Sequence, residues 1–182
     1  MTNNARKGAA PEFSRPFVVD TLGHEPERRS FDANEKERNA LAERLELQDL
    51  GRFRVEFEVR RQAGGMIRVA GDLSADVVQT CVVTLEPVSN HVSDRFVSLF
   101  APPSMIRPSG EIELNVEEDD PEPLEGGVID LGEVATQHLS LALDPYPRAP
   151  GVAFEPVHDP EEPEEEPVEN PFAKLARLNK PH

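Results

Sequence analysis

The sequence predicts an α+β protein, with an antiparallel and partly curled sheet of about five or six strands, two main helices and flexible acidic flanks. Three observations lead to this class. Segment 52–61 alternates strictly between apolar and charged residues, which is typical of a half-buried strand. A glycine pair separates it from a second alternating segment, 66–75. Two more segments, 34–47 and 128–151, carry apolar residues at helical spacing.

The segment RFRVEFEVRR, residues 52–61, is the clearest strand of the chain. Successive side chains of a strand point to opposite faces, so its apolar residues share one face and its Arg and Glu residues share the other. The apolar set is Phe53, Val55, Phe57 and Val59. Gly64 and Gly65 then supply the positive φ angles of a tight reversal, and Ile67 and Val69 return facing inward. This pattern predicts a β-hairpin.

Further strands are predicted within 13–22, 76–88, 91–101 and 111–116. We expect 76–88 to be one continuous strand, since its Val82-Val83 pair favours no turn. The face that holds Cys81 is then shared by Val77, Gln79, Val83 and Leu85. Thr84 lies on the opposite face, because residues i and i+3 of a strand point in opposite directions. In 91–101 the inward set is Val92, Phe96 or Val97, and Leu99.

Both helices have recognisable ends. Asn34 or Asp32 is a candidate cap for the helix in 34–47. Asp130 caps the second helix, and Glu133 completes a capping box. That helix ends at Asp144-Pro145, since a residue before proline disfavours the helical conformation. Its predicted apolar face is Leu131, Val134, Ala135, His138, Leu141 and Ala142, widened by Leu139 and Leu143.

Charge is divided unevenly along the 182 residues, whose formal net charge is −16. Residues 1–70 carry 13 Lys or Arg and 12 Asp or Glu, whereas residues 71–182 carry 6 and 23. A protein this acidic does not bind nucleic acid by bulk attraction, so any RNA contact needs a local basic surface. One cysteine, no apolar signal-peptide core near the start and no long apolar run lead us to expect a cytoplasmic protein without membrane contact.

The composition also predicts the domain organisation. We expect a disordered leader at 1–12, one α+β domain at 13–151 and an acidic Pro/Glu-rich linker at 152–169. A short C-terminal helix, 170–182, would need a surface to lie on because isolated helices of this length are marginal. Its predicted partner-docking residues are Phe172, Lys174, Leu175, Arg177 and Leu178.

No catalytic or cofactor site is predicted. Cys81 is interpreted as an inert core residue rather than a nucleophile or a metal ligand, since no histidine or further soft ligand stands at a suitable spacing. His138 is interpreted as a core histidine. The acidic runs 117–122 and 161–169 lack the alternation of a calcium loop and indicate solvated segments. The expected protein is therefore not an enzyme and has no cofactor, metal or small-molecule substrate.

Arginines are the candidate binding residues. Arg52, Arg54 and Arg60 share the polar face of the predicted hairpin, with Arg68 beside them and Arg61 next in sequence. Such a surface suits phosphate contacts. The alternative is an ordinary charged face, because Glu56 and Glu58 alternate with these arginines. Aromatic residues that would stack on RNA bases point inward instead.

Four features in order resemble the YceD-type family, the large ribosomal RNA subunit accumulation proteins. They are the strand CVVTLEPV from Cys81, a following Phe-containing strand, the helix and stop VIDLGEVATQHLSLALDPYPRAPG, and the closing NPFAKLARLNK. The resemblance covers roughly residues 13–178. Many members are expected to carry C-x-R-C-L, where this chain has Val83 for the arginine and Thr84 for the second cysteine. A role of that cysteine pair is therefore not carried over.

The resemblance implies a role in accumulation of large-subunit (23S) rRNA, hence in ribosome biogenesis, without enzymatic activity. Two partners stay open: large-subunit rRNA at the hairpin arginines, or a basic large-subunit ribosomal protein at the acidic segments. An alternative function is a generic protein–protein adaptor that involves no RNA. A third, a thiol enzyme that uses Cys81, is disfavoured by the absence of a catalytic partner in the pattern.

Overall fold

A computed structural model describes residues 11–105 and 121–152. The helices and strands, in chain order, are β1 (Pro16–Val18), β2 (Glu27–Asp32), α1 (Glu35–Arg44), β3 (Asp49–Arg61), β4 (Ile67–Thr80), β5 (Pro87–Ala101), β6 (Glu122–Pro123), β7 (Val128–Asp130) and α2 (Leu131–Ala142). The strand predicted at 111–116 and the docking helix predicted at 170–182 lie outside the described residues. So do nearly all of the predicted leader, 1–12, and linker, 152–169.

The main sheet has the strand order β2-β3-β4-β5-β6, and a separate pair joins β1 to β7. Strands β2 to β5 are antiparallel to their neighbours, whereas the two-residue β6 runs parallel to β5. In the part of the chain that the structure describes, this sheet stays open at both edges. The predicted α+β class is confirmed, with a mostly antiparallel five-stranded sheet and two helices.

The β3–β4 hairpin follows the predicted alternation. Phe53, Val55, Phe57 and Val59 are at most 2% exposed, and we call their side of the sheet the inner face and the opposite side the outer face. Gly64 and Gly65 have φ angles of 74° and 79° at the reversal, a conformation that only glycine adopts without a steric cost. The hairpin prediction is confirmed. Its strands are longer than the alternating segments, and β3 has a bulge between Leu50 and Arg52.

The strand predicted at 76–88 is wrong in its second half. β4 ends at Thr80, the chain turns through 82–84, and β5 begins at Pro87. Val77, Gln79 and Cys81 are buried as expected, but Val83 and Leu85 are 38% and 75% exposed. Apolar alternation does not mark this reversal, which comes six residues before the predicted end.

Within β5 the inward residues are Val92, Phe96, Ser98 and Phe100. The expected inward position of Leu99 is therefore wrong, because Leu99 pairs with Arg68 on the outer face. A Cβ at Gly71 would lie 2.2 Å from the Phe96 ring, so only glycine fits beneath this aromatic side chain. The phase of β5 is thus set by an aromatic residue packed on a glycine of β4.

The core lies between the inner face and the helices, with α1 against β3 and α2 against β4 and β5. Asn34 and Glu37 form a capping box on α1. Asp130 caps α2 by accepting hydrogen bonds from the main chain of Gly132 and Glu133. A Cβ at Gly132 would lie 2.0 Å from the carbonyl oxygen of Phe13, so the start of α2 packs directly on the N-terminal segment.

Two details of the predicted second helix are wrong. Leu141 is 80% exposed and lies off the apolar face, whereas the predicted Leu131 and Leu139 are fully buried. The Glu133 carboxylate accepts hydrogen bonds from Arg44 of α1 at 2.6 and 2.8 Å, instead of closing a capping box. The bond ties the two helices together, and no local spacing rule anticipates it.

Candidate functional site

The outer face is polar and open to solvent. Register and alternation assign to it Arg28, Ser30 and Asp32 of β2, then Arg52, Arg54, Glu56, Glu58 and Arg60 of β3, then Arg68, Ala70, Asp72, Ser74 and Asp76 of β4, and finally His91, Ser93, Arg95, Val97 and Leu99 of β5. Acidic and basic side chains are interleaved on it. No helix covers this face in the described residues, so its charged side chains are available to a partner.

Ion pairs join most of these charges. They are Arg28 to Glu58 at 3.1 Å, Arg54 to Asp32 and to Glu56 at 3.0 Å each, and Arg95 to Asp72 at 2.7 Å. His91 is hydrogen-bonded to Asp76 at 2.6 Å. Exposed pairs of this kind contribute only about 0–1 kcal/mol each. Their effect on binding is larger than their effect on stability, because a paired arginine presents little net charge to a partner.

Three of the predicted binding residues have no such partner. The side chains of Arg52, Arg60 and Arg68 make no hydrogen bond or ion pair with any described residue. Arg60 and Arg68 are cross-strand partners in the β3–β4 register, and they stand at the hairpin end of the outer face. Arg52 stands near the other end, opposite Asp76.

The other two predicted residues are occupied. Arg54 bonds both Asp32 and Glu56, which raises the pKa of its guanidinium, chiefly through the Glu56 hydrogen bond. Arg61 donates to the carbonyl oxygens of Val19 at 2.7 Å and Leu22 at 3.1 Å, and its cross-strand partner is the buried Ile67. Arg61 therefore belongs to the inner side of the sheet, where it holds the turn after β1.

A chain of hydrogen bonds on the outer face was not foreseen from the sequence. His91 Nδ1 lies 2.6 Å from Asp76 Oδ1, and its Nε2 lies 3.4 Å from Ser74 Oγ. The order is that of a Ser-His-Asp triad. However, the His91 and Asp76 side chains are more than half exposed, and β4 is paired on both sides, so its main-chain N–H groups are not available as oxyanion donors. We interpret the chain as a group of surface hydrogen bonds.

Residues 81–86, which we call the Cys81 turn, reverse the chain between β4 and β5. Cys81 N donates to Glu86 O at 2.8 Å, and Leu85 N donates to Cys81 O at 3.0 Å. The sulfur accepts main-chain N–H groups from Thr84 at 3.4 Å and from Ala149 at 3.3 Å. Leu85 has a φ of 63°, which costs a non-glycine residue roughly 1–2 kcal/mol.

This geometry overturns the predicted separation of Cys81 and Thr84 on opposite faces of a strand. Since the chain turns between them, Thr84 folds back onto the sulfur of Cys81. The positions of Cys81 and Thr84 therefore do not exclude a shared ligand, but a threonine hydroxyl is not the soft ligand that zinc prefers. Within 11–105 and 121–152 no three His, Cys, Asp or Glu side chains are grouped to hold a metal ion.

Hydrogen bonds to the sulfur lower the pKa of the Cys81 thiol to about 6. The Thr84 side chain is the largest cause, followed by the main-chain N–H groups of Thr84 and Ala149, while burial acts in the opposite direction. Cys81 has no exposed surface, and reactive thiols are usually partly exposed. The thiol thus serves as a hydrogen-bond acceptor that joins the turn to the segment after α2.

That segment meets the Cys81 turn at two further points. Val82 N donates to Pro147 O at 2.9 Å, and Gln79 Nε2 donates to Asp144 O at 2.9 Å. Exposed apolar side chains surround the junction: Val82 is 47%, Leu85 75% and Tyr146 70% exposed. Two sequence motifs that lie far apart in the chain therefore form one end of the molecule.

His138 lies on the core-facing side of α2 as predicted. Its Nε2 is 3.0 Å from Ser98 Oγ, and its ring stacks on Phe96 with 3.9 Å between centroids. These contacts account for its polarity within an apolar helix face.

These motifs lie within a match to a known protein family. The family described as Large ribosomal RNA subunit accumulation protein YceD matches residues 69–179, which is more than half of the 182 residues. The chain belongs to this family. No curated protein and no solved structure matches it. The predicted resemblance is confirmed, and the YceD name links the chain to accumulation of the large ribosomal subunit RNA.

The YceD match covers the Cys81 turn, the segment 144–152 that bonds it, and α2. It begins after Arg52, Arg54, Arg60, Arg61 and Arg68, so the family match does not include these arginines. The predicted docking residues from Phe172 to Leu178 fall inside the match but outside the described residues. Neither α1 nor α2 is long and apolar enough to cross a membrane.

Proposed function

We propose that this YceD-family chain is a non-enzymatic ribosome biogenesis factor that supports accumulation of large-subunit (23S) rRNA by contacting that RNA with the outer face of its sheet. One observation carries the proposal: on a face where the other arginines are matched by carboxylates, the side chains of Arg52, Arg60 and Arg68 bond no carboxylate of the residues that the structure describes. Arginine suits contacts to phosphate oxygens. With such a partner the protein acts in the cytoplasm.

The acidity of the chain supports a local contact. A net charge of −16 repels RNA from most of the surface, so binding is confined to the unpaired arginines. Such binding is weak away from the correct site and strongly dependent on salt. An assembly factor that must leave the finished subunit benefits from both properties. Phe53 and Phe57 are buried, so contact is made with the RNA backbone and not by stacking on bases.

A second candidate partner is a basic protein of the large subunit. It is favoured by the composition of residues 71–182, which hold 23 Asp or Glu against 6 Lys or Arg. A polyanionic segment can screen a cationic ribosomal protein before that protein reaches RNA. In this route the acidic runs bind the partner, and the residues from Phe172 to Leu178 dock on it.

An affinity pull-down from lysate, with and without RNase, tests the proposal and separates the two routes. We expect large-subunit components that are lost after RNase treatment and in Arg52→Gln/Arg60→Gln/Arg68→Gln. The matched control, Arg28→Gln/Arg54→Gln/Arg95→Gln, removes equal charge from ion-paired positions and keeps the components. Components that survive RNase but not deletion of 155–169 favour the basic protein. Recovery of no ribosomal component contradicts the proposal and favours a generic adaptor.

A cellular measurement adds to the pull-down. In cells that lack their own copy, we expect the wild-type chain to restore the ratio of large-subunit to small-subunit rRNA. The triple variant at Arg52, Arg60 and Arg68 should restore it less well than the matched control, with equal protein levels confirmed by immunoblot. Equal restoration by both variants would remove the arginines from the function.

A further inference from the structure

The hairpin end of the outer face carries two arginines in a position that the fold itself disfavours. Arg60 and Arg68 are direct cross-strand partners, and their side chains share one face of the sheet. Residues in this relation have Cβ atoms about 4.5–5.5 Å apart, and like charges there are destabilising. Elsewhere on the same face the register sets arginine beside a carboxylate, as in Arg28 with Glu58.

Neighbouring residues do not neutralise this pair. The third member of the cross-strand row is Leu99 of β5. The adjacent row holds Glu58, Ala70 and Val97, and the Glu58 carboxylate already accepts two hydrogen bonds from Arg28. On the other side the hairpin turn, residues 62–66, carries no charged residue.

Arg52 differs from the pair, although it too is unpaired. Its cross-strand partner is Asp76, a carboxylate that is 56% exposed. The local charge around Arg52 is therefore close to balanced, whereas the charge around Arg60 and Arg68 is positive. Of these three arginines, only Arg60 and Arg68 are adjacent, and no described acidic residue stands in their cross-strand row.

We propose that Arg60 and Arg68 form a clamp for the phosphodiester backbone of RNA, so that one backbone phosphate, or two successive ones, replaces the missing carboxylate. This rests on the proposed function and names the part of the outer face that makes the contact. Two planar guanidinium groups present forked donors to phosphate oxygens. Leu99 beside them offers no hydrogen bond, so the clamp reads the backbone and not the bases.

Binding of transcribed full-length large-subunit rRNA tests the clamp, measured by filter retention over a series of salt concentrations. The variant Arg60→Gln/Arg68→Gln is compared with Arg28→Gln/Arg95→Gln, which removes the same charge from ion-paired positions on the same face. We expect the first variant to lose roughly tenfold or more in affinity at low salt, and the slope of log K against log salt to fall by about two. The control should stay close to wild type.

Thermal unfolding at low salt separates a binding role of Arg60 and Arg68 from a structural one. If the two arginines stabilised the fold, replacing them would lower the Tm. Removing a like-charge pair should leave the Tm of Arg60→Gln/Arg68→Gln equal to or above that of wild type. Unchanged RNA affinity in this variant overturns the clamp and leaves the proposed function in place with its contact elsewhere. Equal losses in both variants overturn it in favour of bulk charge. An absence of RNA binding by wild type also overturns the clamp. The pull-down with and without RNase then decides whether the proposed function holds through a basic protein.

Discussion

Two reversals flank β4, and they are built in different ways. The first, between β3 and β4, uses Gly64 and Gly65 with φ angles of 74° and 79°, and it closes with a bond from Gln62 N to Met66 O at 2.8 Å. The second, the Cys81 turn, contains no glycine. Its positive φ falls on Leu85, and a buried sulfur accepts main-chain N–H groups from Thr84 and Ala149.

The difference between the two reversals shows which kind of turn can be predicted from the sequence. A glycine pair predicts a reversal because the conformational freedom of glycine is a property of the residue itself. The Cys81 turn depends on an acceptor whose second donor, Ala149, is 68 residues away, and on a leucine in a conformation that leucine disfavours. One turn is a local preference, while the other is held in place by tertiary contacts.

Removing the sulfur should have the largest effect on this comparison. Cys81→Ala leaves the N–H groups of Thr84 and Ala149 without their acceptor, and a buried donor without a partner is costly. We expect a Tm roughly 5 °C or more below wild type. Cys81→Ser keeps an acceptor at the same position and should lose less. Equal Tm values for the two variants would show that volume, not hydrogen bonding, holds the turn.

The free energy of unfolding should depend on pH through the thiol of Cys81. Its pKa of about 6 in the folded chain lies below the ordinary thiol pKa of 9.0. Between these values the unfolded state binds more protons than the folded state, so the thiolate's contribution rises with pH. It is complete above pH 9 and lost as the pH falls through 6. Urea unfolding of wild type minus Cys81→Ser, from pH 5.5 to 9.5, should show this rise; a flat difference would contradict it.

At the hairpin turn, Gly65→Ala tests the glycine conformation without a clash. The nearest atom to the new Cβ is Pro102 Cγ at 3.7 Å, so only the positive φ is penalised. We expect a loss of roughly 1–2 kcal/mol in the free energy of unfolding. Gly23→Ala is the control, since Gly23 has no positive φ and nothing within 4 Å of its Cβ position. A loss as large in the control would mean that the effect is not conformational.

Leu85→Gly should have the smallest effect, and in the opposite direction. It removes the positive-φ cost of leucine, offset in part by the greater freedom of glycine in the unfolded chain. The side chain is 75% exposed, so little buried apolar area is lost. We expect a gain of up to about 1 kcal/mol in urea unfolding. Val82→Gly, in the same turn without a positive φ, should lose stability instead.

Much of the fold could be predicted because its signals are local. Phe53 to Val59 alternate within one strand, and Asn34 and Asp130 cap helices whose first turns immediately follow them. The errors have a common origin. The end of β4, the exposure of Leu141 and the bond from Arg44 to Glu133 all depend on residues distant in the sequence.

The arginines of the outer face show the same division between features that the sequence predicts and features that depend on distant residues. Alternation alone predicts that Arg52, Arg54 and Arg60 share the polar face, and the structure agrees. It cannot say which of them lacks a carboxylate, because Asp32 reaches Arg54 from β2 and Asp72 reaches Arg95 from β4. Arg61 takes up the carbonyls of Val19 and Leu22, which no spacing within the hairpin indicates.

The sequence by itself determined the faces of the hairpin, the caps of both helices and the excess of acid after residue 70, since each is a property of neighbouring residues. Only the tertiary structure decided that Cys81 lies in a turn and that Arg60 and Arg68 stand opposite each other, with no described carboxylate bonded to either. Both outcomes depend on register between strands and on hydrogen bonds from segments far along the chain. In a sheet, the nearest neighbours of a side chain lie on other strands.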